Sequence, residues 1–211
     1  MESDDETPQL SAASLQALQE FLKEQITEVP PENEPVPENW KLSQFWYSDD
    51  TATQLVGEAM EALKGIKKPR IALVSSPTLM RFFRSRPEFE AGAFSVHLFE
   101  FDRRFGEQFG DNFSFYDFNS PTAIDDSLKH TFDFIIADPP YLASDVLTAV
   151  SESVKLLMKE GNSKIILCTG AVMEKTAFET LHLKRTSFAP KHANNLSNDF
   201  CCFANYITHH L

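Results

Sequence analysis

The chain has 211 residues, 42% of them hydrophobic, and a net charge of −12. That length suits one domain with a substantial core plus an appendage and is short for two. The charge argues against a self-sufficient nucleic-acid binder, which neutralises several phosphates with Lys and Arg, and no apolar run reaches the roughly 18 residues of a membrane-spanning helix.

Residues 1 to 40 hold ten acids against a single base, Lys23, so this fifth of the chain carries −9 and the remainder only −3. The first 30 residues place acids where a signal peptide needs a basic start and an apolar core, so a soluble, cytoplasmic protein is expected. Ser11 or Ser14 can cap a helix whose apolar positions Leu15, Leu18, Leu22 and Ile26 recur at helical spacing. It stops before VPPENEPVPEN (29–39), whose four prolines mark a linker. The expected division is therefore an acidic N-terminal segment over 1–39 and a domain over 40–211.

From Trp40 onward helix and strand alternate. Asp49 or Asp50 can cap a helix carrying Leu55, Ala59 and Ala62, and RIALVSSP reads as an apolar strand opening into small polar residues. A helical TLMRFFRSR, the strands SVHLFEFD and FSFYDFN, a polar helix-like stretch from Pro121 and the strand FDFIIAD follow. The chain then reads as a helix through SDVLTAVSESVKLLMK, the strand SKIILCTG, a helix over 171–180, and two late strands near LKRTSFAP and FCCFANYI. Short apolar strands alternating with helices predict an α/β fold with a mostly parallel sheet covered on both faces. The last two strands, joined without a clear helix, predict an antiparallel edge hairpin.

Cys168, Cys201 and Cys202 form no CxxC pair, and adjacent strand residues point to opposite faces, so structural thiols are expected. The six histidines show no ligand spacing, and His209 and His210 read as a solvated tail. No metal is expected.

In an open parallel sheet, ligands bind beyond the carboxyl ends of the strands. Those positions are Ser75-Ser76-Pro77, Glu100 to Asp102, Asp117-Phe118-Asn119, Asp138-Pro139-Pro140-Tyr141 and Thr169-Gly170. Acids there suit a ligand with ribose hydroxyls and an amine, because a carboxylate accepts from both, whereas a phosphate ligand would want glycines, Lys or Arg. Asp102 lies a little beyond the roughly 20 residues after the first strand at which a ribose acid is expected, and could equally end a strand and pair with Arg103 or Arg104. In Asp138-Pro139-Pro140-Tyr141 the two prolines fix φ and remove two N–H donors, leaving carbonyls and a carboxylate: a surface of acceptors for a guest that brings N–H bonds. Tyr141 adds a ring able to stack on a base or receive an ammonium.

This tetrapeptide after an apolar strand resembles the (Asp/Asn/Ser)-Pro-Pro-(Tyr/Phe/Trp) signature of S-adenosylmethionine-dependent methyltransferases that act on amino nitrogens. The likeness runs further. DDETPQLSA, NWKLSQFWYSDDTA (39–52), FEFDRRF (99–105), FSFYDFN, FDFIIADPPYL, IILCTGAVME (165–174) and PKHANNLSNDFCCFANY (190–206) together resemble the eukaryotic elongation factor 1-alpha lysine methyltransferase family, once labelled a putative adenine-specific DNA methyltransferase. The resemblance implies a Rossmann-like, seven-stranded class I methyltransferase sheet, S-adenosylmethionine as donor, and a lysine of elongation factor 1-alpha as acceptor. Position by position it implies an acceptor-nitrogen pocket from Asp138, Pro139, Pro140 and Tyr141, with Asp138 also against the cofactor. Asp102, with Glu100 as the alternative, would hold the ribose; Asp117 and Phe118 would meet the adenine. Ser75 and Ser76 stand where related enzymes carry a glycine-rich loop, a departure from the family pattern.

Trp46 and Tyr47 in QFWYS read either as a flap over the cofactor or acceptor or as a clasp to the core. The competing functional readings are an adenine amino-methyltransferase on DNA or RNA and a non-catalytic module on the same fold. With no recognition domain and the wrong charge for a nucleic acid, the expected partner is the protein substrate, with no membrane and a monomeric enzyme.

Overall fold

The computed structural model of the chain describes residues 36–161, 163–194 and 199–211. The helix expected over residues 11–26 lies outside the described residues. Seven strands form one sheet: β1 (Arg70–Val74), β2 (Ser95–Glu100), β3 (Phe113–Phe115), β4 (Phe134–Ala137), β5 (Lys164–Gly170), β6 (Lys184–Arg185) and β7 (Phe200–Ala204). Their order is β3-β2-β1-β4-β5-β7-β6, with β7 antiparallel to both β5 and β6 and the other pairs parallel. The mostly parallel sheet with an antiparallel edge hairpin is thus as expected.

The helices are α1 (Asp49–Ala62), α2 (Thr78–Arg84), α3 (Pro87–Glu90), α4 (Arg104–Phe109), α5 (Ser144–Leu157) and α6 (Glu174–Leu181). Each strand alternates its side chains between the two faces of the sheet. Ile71, Leu73, Phe134 and Ile136 pack with Leu55, Ala59, Leu79 and Phe83 of α1 and α2, while Ala72, Val74, Ile135 and Ala137 pack with Val150, Val154 and Leu181 of α5 and α6. Both faces are buried, which explains why these strands are continuous apolar runs rather than alternating ones. The same parity sends Cys202 and Cys201 into different cores, while Cys168 and Cys202 are cross-strand partners on one face.

Three local expectations change. Ser48, not Asp49 or Asp50, caps α1: its Oγ accepts from Thr51 N at 3.3 Å, and the two aspartates occupy the first turn, where they favour the helix dipole. The stretch from Pro121 forms turns instead of a helix, because Asp125 Oδ1 accepts from the backbone N and the hydroxyl of Ser127, and His130 turns left-handed at φ 56. The rings of His209 and His210 are exposed, but their backbone is tied down. Fully buried Glu58 accepts from both amides, at 3.0 and 2.7 Å, and from the Tyr206 hydroxyl at 3.0 Å.

Residues 36–47 run across the carboxyl edge of the sheet as a strap. Val36 is buried in the α1-side core, Trp46 Nε1 donates to Val36 O at 2.8 Å, and Glu38 Oε1 accepts from Trp46 N at 2.8 Å. The strap is stitched to residues 191–194: Ser48 N donates to Lys191 O, Ala193 N donates to Trp46 O, and Tyr47 bridges His192 in antiparallel fashion.

Candidate active site

A cavity of about 400 Å³ opens at the carboxyl ends of β1 to β4, with Leu42 to Tyr47 of the strap along one side and His192 and Phe200 closing another. Four of the five strand ends read from the sequence meet there. Among the predicted residues, Ser75, Ser76, Glu100, Asp117, Phe118, Asp138, Pro139, Pro140, Tyr141, Trp46 and Tyr47 line it, and Asp102 does not. The fifth end lies underneath: a Cβ on Gly170 would stand 2.9 Å from Leu142 Cδ1, so the bare glycine lets the turn after β4 settle on the end of β5.

The loop after β1 departs from a glycine pattern yet makes the same kind of turn. Ser75 adopts φ 53, the left-handed region that glycine enters without steric cost. Its N donates to Phe99 O at 2.9 Å, and the buried Ser76 hydroxyl donates to Ile136 O at 3.3 Å, fastening the turn to two strands.

Glu100 and Asp102, two residues apart, have different fates. Asp102 is taken by Arg104: Nη2 donates to its Oδ2 at 2.6 Å, Nε to the same oxygen at 3.0 Å, and the Arg104 backbone N to Oδ1 at 3.0 Å. Burial alone would raise this carboxyl, but the Arg104 hydrogen bonds and charge outweigh it and hold Asp102 below the usual range. Asp102 is thus paired at the entry to α4 and does not line the cavity, whereas Glu100, the alternative to it in the sequence, does. Glu100 is 5% exposed and lines the cavity; its Oε1 accepts from Gln44 Nε2 at 3.3 Å and from Asp102 N at 3.2 Å. Burial pushes its carboxyl up to about 7 despite those donors.

Gln44 was not among the residues picked from the sequence, although it lies in the QFWYS block. Its Nε2 reaches both Glu100 and Asp102, and its Oε1 accepts from Asn39 N at 3.1 Å, so one amide joins strap, cavity-lining acid and ion pair. Two acids this close need a donor between them, and a glutamine beside the aromatic block was the available signal.

After β3, Asp117 Oδ1 accepts from the backbone N and the side-chain amide of Asn119, both at 2.9 Å, which folds the turn and sets Phe118 edge-on to Tyr141 with ring centroids 6.4 Å apart. Tyr141 is 51% exposed and sits at φ 63, a strained conformation for an aromatic residue. Asp138 N donates to Val74 O at 2.9 Å, so the carboxylate leaves the sheet exactly one residue past β4 and into the cavity wall. Burial raises its carboxyl to about 7, with the Tyr47 hydroxyl opposing that rise and the Glu100 charge adding to it. Trp46 is spent on packing: its ring meets Phe105 edge-on at 6.0 Å and its indole N–H is taken by Val36. Tyr47 is 3% exposed, and its hydroxyl has no hydrogen-bond partner among the described residues. Among the described residues, three carboxylates line this cavity and no Lys or Arg does, an arrangement that attracts cations and amines and repels phosphate. Among the described residues, no group of three or more His, Cys, Asp or Glu is placed to hold a metal ion, and no helix is long and apolar enough to cross a membrane.

Residues 38–208 match the family model described as "Probable N6-adenine methyltransferase". The chain is 46% identical to human EEF1A lysine methyltransferase 1, over 96% of this chain and 94% of that protein. It is also 46% identical to a protein-lysine N-methyltransferase of Caenorhabditis elegans, over 99% and 98%, and 39% identical to protein-lysine N-methyltransferase EFM5 of Saccharomyces cerevisiae, over 80% and 72%. Among solved structures it shares its fold with a mutein of the branched-chain polyamine synthase from Thermus thermophilus, at TM-score 0.57 and 10% identity, over 89% of this chain and 62% of that one.

Proposed function

The chain belongs to the EEF1A lysine methyltransferase family, and from that premise we propose that it is a protein-lysine N-methyltransferase using S-adenosylmethionine to methylate a lysine of translation elongation factor 1-alpha. The observation that carries the reading is the cavity itself: among the described residues it is lined by three carboxylates and no lysine or arginine, and the two prolines of its Asp138-Pro139-Pro140-Tyr141 turn offer no N–H. Both guests of such a reaction are cationic, a sulfonium and an ammonium. The donor set fits the cofactor. Glu100 would accept from the ribose hydroxyls, Asp117 and Phe118 would meet the adenine amino group and ring, and the Ser75–Ser76 turn would run beside the amino-acid end.

When bound, S-adenosylmethionine supplies an electrophilic methyl group on a positive sulfur. The protein must deliver a neutral nitrogen to it. A free lysine has a pKa of about 10.4, so at pH 7 on the order of one molecule in 10³ carries the lone pair. A cavity that removes water and holds a second positive charge lowers that pKa by desolvation and like-charge repulsion. Asp138, with its carboxyl near 7, can take up a proton from the entering ammonium and return it to water. Asp138 and the Pro139 carbonyl then accept the remaining N–H bonds, so the lone pair points away from them. Rate comes chiefly from this positioning. Tyr141, half exposed at the mouth, offers its ring to the lysine stem.

A second reading, adenine amino-methylation of DNA or RNA, is favoured by the family model's description and by the tetrapeptide. The absence of lysine and arginine from the cavity lining weighs against it, because a polynucleotide brings phosphates to the mouth. We place the protein in the cytoplasm, acting as a monomer without metal or stable nucleic-acid contacts. Incubation with labelled S-adenosylmethionine, elongation factor 1-alpha and nucleic acid together tests the choice: label in protein is expected, and label in nucleic acid would reverse it.

A further inference from the structure

The Tyr47 hydroxyl is a buried polar group of the site, unpartnered among the described residues, that the reaction described above leaves idle. Tyr47 is 97% buried, held by its backbone bridge to His192 and by the His192 ring at 5.3 Å, which itself lies against Phe200 at 4.5 Å. The flanking bonds Ser48 N to Lys191 O and Ala193 N to Trp46 O clamp both sides of that bridge. The ring is thus fixed; Tyr47 lines the cavity together with Asp138, and its hydroxyl lies within electrostatic reach of that carboxyl and of the Cys168 thiol. It makes a hydrogen bond of ordinary geometry to neither. A buried hydroxyl without a partner is disfavoured against its hydrated state. Of its two neighbours, only a carboxylate is a strong acceptor.

We propose that Tyr47 is a positioning residue for Asp138: its hydroxyl donates to one carboxylate oxygen when the site is loaded, turning the other oxygen toward the acceptor nitrogen. Catalytic hydrogen bonds that are long in an empty site commonly tighten around bound substrate. The groups that face Asp138 are Tyr47 from the strap, Glu100 from the end of β2, and Cys168 from β5, which is backed by Cys202 of β7. Tyr47 alone among them is a strong donor, so it stabilises the ionised carboxylate while Glu100 opposes it. QFWYS, whose two readings were a flap or a clasp, becomes both: Trp46 is the clasp, and Tyr47 is part of the machinery.

The inference rests on the reading of Asp138 as the group that orients the acceptor, and the test separates the two. Tyr47→Phe, Asp138→Asn and the double variant of the full chain are assayed for methyl transfer to elongation factor 1-alpha across pH 6 to 9. S-adenosylhomocysteine affinity and thermal midpoint are measured alongside. Tyr47→Phe is expected to lower kcat/KM about tenfold, the worth of one hydrogen bond to a charged group. It should move the acid limb of the pH profile to higher pH, because the ionised carboxylate loses a donor. Cofactor affinity should stay within about twofold and the thermal midpoint should hold or rise, since an unpaired hydroxyl is removed. In the Asp138→Asn background the same change should cost nothing further. Wild-type kcat/KM and pH profile in Tyr47→Phe, an equal loss in cofactor affinity, a lowered thermal midpoint, or full additivity with Asp138→Asn would each overturn it. Wild-type turnover in Asp138→Asn would instead overturn the reading of Asp138 beneath it.

Discussion

The turn after β2 and the turn after β4 each bring acids to the same edge of the sheet, and the difference between them shows what makes an acid available to a ligand. After β2, Asp102 is matched by Arg104, which spends three donors on it, and the pair is closed off from the cavity. After β4, Asp138 meets no cation among the described residues: its neighbours there are a tyrosine, a thiol and another acid, and the next two residues have no N–H to offer. A buried carboxylate without a counterion is expensive, and its carboxyl near 7 expresses that cost. A cationic guest would remove the cost, so in the function proposed above the unmatched acid serves the guest and the matched one braces the turn.

The contrast breaks most sharply at Asp138. Asp138→Ala should lower methyl transfer by at least about a hundredfold while cofactor binding by calorimetry persists; wild-type-like turnover would remove the distinction. Arg104→Ala should act on the other turn and in the other currency, lowering stability by about 3 kcal/mol in chemical denaturation because it strands Asp102, whose side chain is 6% exposed.

Glu100 stands between the two cases, lining the cavity but partly satisfied by Gln44. Its folded carboxyl lies near 7, above the unfolded value of about 4.5, so the folded state binds its proton more tightly. The favourable contribution of the protonated form is complete below pH 4.5 and lost as pH rises through 7. Glu100→Gln should therefore raise the thermal midpoint at pH 8 and lose that advantage on titration toward pH 4.5, while weakening S-adenosylmethionine binding about tenfold. A midpoint shift that is independent of pH would show that Glu100 is not held near 7. Ser75→Gly should have the smallest effect on stability, a gain of up to about 1 kcal/mol from relieving φ 53 with cofactor affinity kept, read by denaturant midpoint.

The layout of the sheet was legible because both its faces are buried, so each strand is a short apolar run and the residue after it is polar. Cys201 and Cys202 were likewise readable from strand parity alone. The choice between Glu100 and Asp102 was not, since residues two apart share a parity, and what separates them is Arg104 folding back at the start of α4. Nor could spacing show that Ser75 would take the left-handed turn a glycine usually supplies. The polar stretch from Pro121 reads as helix-like but forms turns, because Ser127 donates its backbone N–H and hydroxyl to Asp125 and so closes a local turn instead. The strap was the largest omission: its bonds to residues 191–194 span the length of the domain, and no local pattern announces a contact between segments so far apart.

The measurement that bears most directly on the unmatched acid as the seat of amine methylation is mass spectrometry of elongation factor 1-alpha after incubation with S-adenosylmethionine and either the wild-type protein or Asp138→Ala. A methylated lysine with wild type and none with the variant is the expected result. Methylated lysine at equal levels with both, or no methylated lysine with wild type, would contradict it.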